Sequence, residues 1–297
     1  MANVIERLVS DGLIKPPRWL PSNIHYLTIM GSVAYGVSTD VSDMDIYGFC
    51  IPPKEIVFPH LAGEIMGFGR QHTRFDQYQQ HHVVDNSGNK EYDFAIYSII
   101  RYFQLVMENN PNMIDSLFTP HRCVLHSTFV GNMVRENRRM FLHKKCWHTF
   151  KGYAYSQVKK MARNPEGKRK ETVDKYGFDV KFAYHVVRLI NEVEMILTEG
   201  DLDLERNREQ LKAIRSGEWT KEQIEKYFET KERELESLYT TSKLPHGPDE
   251  DKIKALLLQC LEHHYGSLSS CVISESDAII ALREVRKTLD RYSHVMG

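Results

Sequence analysis

Met30-Gly-Ser-Val-Ala-Tyr-Gly-Val-Ser-Thr-Asp-Val-Ser-Asp-Met-Asp-Ile-Tyr-Gly48 is the stretch on which the reading of this chain turns. It leaves an apolar run, His25–Met30, at Gly31-Ser32 and after ten further residues delivers Asp43-x-Asp45 at the start of a second β-prone run, Asp45–Ile51, which Pro52-Pro53 stops. Gly31 lets the backbone approach an anion, and the Ser32 N–H and hydroxyl suit phosphate oxygens at the start of a helical turn. Asp43 and Asp45, two apart on an extended chain, point to the same side. Carboxylates so placed suit a hard divalent cation that also grips a triphosphate, because Mg²⁺ takes carboxylate and phosphate oxygens together. Such a pair calls for a third carboxylate from a neighbouring strand. Asp76, Asp85, Glu91 and Asp93 are the candidates. Asp93 is preferred: in its strand-like run Tyr92, Phe94 and Ile96 make one face and leave Glu91 and Asp93 on the other, and a strong helix follows to anchor it.

Working outward, the first 140 residues alternate strands and helices. Glu91–Phe94 is a third strand. Tyr97–Glu108 has helical spacing at Ile100, Phe103 and Met107 and ends at Asn109-Asn110-Pro111, Asn112–Phe118 begins another helical turn, and Cys123–His126 is a short strand. This half reads as α/β with a small mixed sheet. Gly63–Asn89 shows no sustained period and reads as a hairpin or loop. From about His143 the pattern is nearly all helix, over 144–163, 179–199, 202–216, 220–238, 249–265 and 276–293. Pro165-Glu-Gly167, Gly200, Ser216-Gly217 and Leu244-Pro-His-Gly-Pro248 separate these segments, and Thr220 and Asp249 stand where N-caps belong. The organisation expected is an α/β domain over 1–142 and an all-α bundle domain over 143–297.

Composition sets the bounds on function. The chain has 297 residues, 41% of them hydrophobic, and 39 Lys and Arg against 40 Asp and Glu. It carries enough apolar surface for a sizeable core. Its longest apolar runs, such as Ala278–Leu282, fall far short of the ~20 residues a bilayer demands, and Met1–Arg7 carries no signal-peptide pattern. A cytoplasmic, non-membrane chain is expected. Five scattered cysteines without a C-x-x-C pair read as reduced and mostly buried. His81-His82 and His263-His264 suggest metal, but no H-E-x-x-H or comparable spacing accompanies them, and surface or packing roles are the plainer reading.

Charge is unevenly spread. Residues 143–181 hold eleven Lys/Arg and four Asp/Glu, whereas 182–297 hold sixteen and twenty-two, so the first segment is +7 and the second −6. Trp147, Phe150, Tyr153, Tyr155, Tyr176 and Phe178 interleave with the cations, as phosphates and stacked bases would require, or as a helix with a basic outer face and an aromatic inner one would show. Lys144, His148, Lys151 and Tyr155 share one helix face that either tracks a polynucleotide backbone or is simply solvated. The acidic 220–238 segment reads as a solvated outer helix. Along 181–192, Lys181, Tyr184, His185, Arg188 and Glu192 form one polar stripe, and Phe182, Val186, Leu189 and Val193 an apolar one. The stripe is either the wet face of a surface helix or a row in which Lys181, His185 and Arg188 face a cleft and neutralise a triphosphate.

The order apolar strand, Gly-Ser, Asp-x-Asp, later Asp on a strand resembles the signature of the nucleotidyltransferase superfamily related to DNA polymerase β. With Gly-Ser-x-Ala-Tyr-Gly, Asn110–Phe118, Lys181–Ile190 followed by Gly200, and Leu244–Asp249, most of the chain resembles the RNA-repair-pathway polymerase-β-like family (RlaP), which includes bacteriophage members. The resemblance implies a minimal nucleotidyltransferase mixed sheet followed by a helical bundle, and a link to RNA end repair. The reaction expected is Mg²⁺-dependent nucleotidyl transfer of the EC 2.7.7 class, in which an acceptor hydroxyl attacks the α-phosphate of a bound NTP, ATP among them, and pyrophosphate leaves. Asp43, Asp45 and Asp93 would hold two metal ions roughly 3.5–4 Å apart, with Mn²⁺ as a substitute. Gly31 and Ser32 would hold the β- and γ-phosphates, and Lys181, His185 and Arg188 would complete the nucleotide site. An RNA end, contacted through 143–181, is the acceptor the resemblance favours. A protein hydroxyl or a small molecule would fit the same catalytic core, and a non-catalytic nucleotide- or RNA-binding module would fit the same fold, although such a module would gain from losing Asp43 and Asp45.

Overall fold

Asn3 opens the first helix through a capping box, its side chain taking the Glu6 N–H while the Glu6 carboxylate takes the Asn3 N–H. The computed structural model describes residues 3–38, 43–71, 74–85, 90–161 and 168–271, together with 281, 282, 285, 286 and 289. In chain order the first part runs α1 (Val4–Ser10), β1 (Ile24–Ile29), α2 (Gly31–Ala34), β2 (Met44–Cys50), α3 (Lys54–Val57), β3 (Gln77–Asp85), β4 (Lys90–Ser98), α4 (Ile99–Met107), α5 (Pro111–Phe118), β5 (Val124–Ser127) and α6 (Phe129–Glu136). The second runs α7 (Cys146–Met161), α8 (Lys168–Tyr176), α9 (Val180–Glu199), α10 (Arg208–Arg215), α11 (Lys221–Thr241) and α12 (Glu250–Tyr265).

The five strands form one mixed sheet in the order β3-β4-β2-β1-β5. The central pair β2 and β4 is parallel, with Asp45 opposite Asp93, and the other pairs are antiparallel. Side chains alternate along the strands, so each face has its own packing. Leu27, Ile46, Phe94 and Ile96 bury against Ile5 and Leu8 of α1. On the opposite face Tyr26, Phe49, Ala95 and Tyr97 begin an apolar core that continues through α4, α5, α7 and α9 as far as Leu261 of α12. This is an α/β sheet followed by helices, the fold class expected. Among the described residues no helix is long and apolar enough to cross a membrane, and all five cysteines are buried and unpaired.

Several expectations change. The strand expected at Glu91–Phe94 runs from Lys90 to Ser98, because β4 is paired on both sides and the ladders hold Tyr97 and Ser98 extended. Of the two readings of the 63–89 stretch, the hairpin is the one found: it contains β3, an edge strand of polar composition paired antiparallel with β4. Residues 202–207 are not helical, and the helix begins at Arg208. The 276–293 segment lies mostly outside the described residues.

Helix α9 is not a surface helix. Tyr184 and Arg188 are 3% exposed and Glu192 2%, while Val186, Leu189 and Val193 on the other stripe are fully buried. Helix α11 is the outer helix expected, with Glu222, Glu229 and Glu234 exposed, but it is amphipathic: Ile224, Phe228 and Leu235 are buried, and Glu232 and Glu236 meet the basic face of α7. Lys151 pairs with Glu232 at 2.7 Å, Tyr155 donates to Glu232 at 2.7 Å, Trp147 Nε1 donates to Glu236 at 3.0 Å, and Lys144 Nζ donates to the Thr240 carbonyl at 3.3 Å. Of the face formed by Lys144, His148, Lys151 and Tyr155, the two lysines and the tyrosine are thus engaged by α11, while His148 and Tyr155 remain exposed. Opposite charges on two helices found each other.

Candidate active site

Strand β1 ends at Ile29, and the chain must turn at once to reach the start of β2, which runs antiparallel beside it. Met30 donates its N–H to the Asp45 carbonyl at 2.7 Å, closing the sheet end, and Gly31 then takes a left-handed φ of +64° to start α2. A side chain there meets two obstacles. L-residues adopt that φ at a cost, and a Cβ on Gly31 would stand 2.2 Å from Asp45 Oδ2. The glycine is what allows the first turn of α2, with N–H groups that have no partner within the helix, to lie against the Asp45 carboxylate. Ser32 follows it, half-buried.

Asp45 and Asp93 occupy matching positions on the parallel pair β2 and β4, so their backbones lie about 4.8 Å apart and their side chains leave the same face. Burial pushes the Asp45 carboxyl above its ordinary value, and the charges of Asp93 and Asp43 push it further, against the pull of Lys181 and His81. Asp43 itself is exposed, two residues earlier. Of the other candidates on or beside the hairpin, Asp76 lies at the far end of β4, where its main-chain carbonyl accepts from Ser98 N, Asp85 is buried and ion-paired with Arg7 at 2.8 Å, and Glu91 bonds His82. Asp93 alone among the four candidates stands in register with Asp45. Among the described residues no three His, Cys, Asp or Glu side chains are already gathered at metal-ligating range. The donor set nevertheless suits a hard divalent cation: all oxygen, and mutually repelling in a way a cation would relieve.

A cavity of about 170 Å³ opens beside Asp45, lined among others by Gly31, Tyr47, Tyr153, His185 and Arg188 and not by Asp43, Asp93, Ser32 or Lys181. Four of the expected site residues, Gly31, Asp45, His185 and Arg188, thus meet in one cleft. His185 stacks on Tyr184 with ring centroids 4.2 Å apart. Lys181 lies one turn before His185 on α9, exposed.

Arg188 has company the sequence did not disclose. Its Nη1 donates to Tyr35 Oη, to Asp115 and to Glu192, the last at 3.1 Å, and its guanidinium lies 4.3 Å from the centre of the Tyr35 ring. Tyr35 in turn donates to Asp115 at 2.6 Å. Burial holds the Glu192 carboxyl well above the usual range; Arg188 opposes that and Asp115 adds to it. Arg188 is shared with two buried carboxyls, Asp115 and Glu192, so it brings donors to the cleft more than net charge. Tyr35, Asp115 and Arg188 come from three separate segments of the chain, and this cluster is where those segments touch.

The model of the RNA repair pathway DNA polymerase beta family (RlaP) matches residues 14–259. An uncharacterized 38.9 kDa protein of Enterobacteria phage T4 is 27% identical over 132 residues, which is 44% of this chain and 36% of that protein. The match spans about a third of that relative's length. Among solved structures, a nucleotidyltransferase-like protein from Exiguobacterium sibiricum 255-15 aligns over 79% of this chain and 73% of its own, at 10% identity and a TM-score of 0.28.

Proposed function

This chain belongs to the RNA repair pathway DNA polymerase beta family, and from that premise we propose that it moves a nucleoside monophosphate from an NTP to a hydroxyl of an RNA end. Family and fold suggest a nucleotidyltransferase of the polymerase β type. The observation that carries the proposal is the register of Asp45 and Asp93 on adjacent parallel strands, at the sheet end where the Gly31 turn begins.

Asp43, Asp45 and Asp93 would hold Mg²⁺, or Mn²⁺ in its place, which when bound supplies charge stabilisation to the phosphoryl oxygens. The protein's own groups do the rest. Gly31 and Ser32 hold the β- and γ-phosphates through N–H and hydroxyl donors, Lys181 brings the net positive charge, and Arg188 and His185 present donors from the far wall of the cleft. Asp93 takes the proton of the attacking hydroxyl. The new bond joins that oxygen to the α-phosphorus, the bond from the α-phosphorus to the bridging oxygen breaks, and pyrophosphate carries that electron pair away.

Support for an RNA acceptor comes from the family and from cations that α11 leaves open. Lys159, Lys160, Lys170, Lys175 and Lys181 are exposed, and these, not the α7 face toward α11, would track a backbone. Binding through them weakens steeply with salt.

The test incubates the full chain with Mg²⁺, each α-³²P-labelled NTP in turn, and either tRNA or mixed cellular RNA and protein, beside the Asp43→Asn, Asp45→Asn double variant. Label in RNA with the wild type alone supports the proposal and names the base. Label in protein alone replaces it with protein nucleotidylylation. No label, with folding and NTP binding verified, leaves a binding module.

A further inference from the structure

We infer that the His81-His82 bulge of β3 is a positioning element for Asp93, acting through the main-chain N–H of His82; the inference rests on the reading of Asp93 as a metal-holding carboxylate. Strand β3 pairs with β4 residue for residue from Gln77 opposite Tyr97 to Gln80 opposite Phe94. The register then shifts, and Val83 stands opposite Tyr92. Two residues, His81 and His82, therefore face the single residue Asp93. This is a β-bulge, a feature that turns backbone groups away from the ladder and re-aims them.

What the bulge re-aims is a donor. His82 has φ 55°, in the left-handed region that a non-glycine residue occupies only when its surroundings demand it. In that conformation its N–H reaches Asp93 Oδ1 at 2.8 Å. Asp93 Oδ2 faces the His81 imidazole at 3.4 Å, and that ring is on a side chain 58% exposed. One oxygen is thus pinned by main chain and the other is met by a side chain free to move aside. A carboxylate held by one oxygen, with the second available beside Asp45, is prepared to receive a cation without having to be oriented first. The adjacent histidines, which read from sequence as a tempting metal pair, act on the carboxylate instead.

The inference separates main chain from side chain, and so do its variants. Mn²⁺ binding to the full chain, followed by the EPR signal of free Mn²⁺ without nucleotide, gives a readout independent of turnover. His82→Gly keeps both the N–H and the left-handed backbone and should bind as the wild type does. His82→Pro removes the N–H and cannot adopt that φ, and affinity should fall about tenfold or more. His82→Val, which keeps the N–H but resists the left-handed region, covers the case in which the proline chain does not fold, and should fall in the same direction. His81→Ala should not weaken binding. Wild-type affinity in both His82→Pro and His82→Val overturns the inference, and so does a loss in His82→Gly equal to that in His82→Pro. If Asp93→Asn binds Mn²⁺ as tightly as the wild type, the metal-holding role of Asp93 fails first and the positioning role with it.

Discussion

Replacing Gly31 with alanine separates two costs that the fold makes coincide. The first is conformational: at φ +64° an L-residue costs about 1–2 kcal/mol relative to glycine, which appears as lost stability. The second is a collision, since the new Cβ would stand 2.2 Å from Asp45 Oδ2. The atom it meets is the end of a side chain that can rotate, so the collision costs little stability but drives the carboxylate back by about 1 Å to reach ordinary contact. A displacement of about 1 Å at reacting groups costs on the order of 10²-fold in rate. Gly12→Ala supplies the control, because Gly12 has φ +72° and a Cβ there would meet nothing within 4 Å. Urea denaturation should show both variants destabilised by about 1–2 kcal/mol. Initial rates of label transfer from α-³²P-NTP should fall about 100-fold for Gly31→Ala alone. If Gly31→Ala turns over as fast as Gly12→Ala, the close approach of turn and carboxylate is not what the site depends on.

The buried cluster and the histidine pair yield three more expectations. Arg188→Met leaves Asp115 and Glu192 buried without a counter-charge and should cost about 3–5 kcal/mol in denaturant melts; a loss below about 1 kcal/mol would show that the cluster is not buried as described. Because burial raises the Glu192 carboxyl in the folded state, the native protein holds that proton more tightly than the unfolded chain. Its contribution is complete below about pH 4.3 and declines as pH rises. Glu192→Gln should therefore melt like the wild type at pH 4 and higher than it at pH 8, and the reverse order would refute the assignment. His25 shares a 2.9 Å hydrogen bond with His264 of α12, and burial first, then the neighbouring His264, pulls it down to about 3. The unfolded chain takes up that proton below about pH 6.5, so stability should fall by up to about 1.4 kcal/mol per pH unit between about pH 6.5 and 3. His25→Gln should flatten that part of a pH–stability curve.

What could be read ahead of the structure follows the range over which each feature is decided. The strands β1 and β2, the Gly31 turn and most helix ends are set by neighbours within a few residues: apolar alternation, a glycine where φ must be positive, Thr220 and Asp249 as caps. Asp93 was the preferred partner because alternation in its own strand set it apart from Tyr92 and Phe94. β3 is legible only as one arm of a hairpin or as loop, without bounds, because an edge strand carries one buried neighbour instead of two, and Gln-Tyr-Gln-Gln-His-His shows almost no apolar period. The stripes on α7, α9 and α11 were legible as stripes. Whether each met water, a cleft or another helix was not, since a charged side chain has the same spacing whichever it faces.

By itself, then, the order of residues determined that an α/β sheet precedes a set of helices, and that a glycine turn and a pair of aspartates sit at one sheet end, because these depend on local periodicity and backbone sterics. Only the tertiary structure decided that Asp93 lies beside Asp45, that a bulge holds it there, that α11 closes over the basic face of α7, and that Tyr35, Asp115 and Arg188 meet in the core. Those are contacts between groups up to about 150 residues apart in the chain, and pairing register and the neutralisation of buried charge, which fix them, exist only once the segments have been brought together.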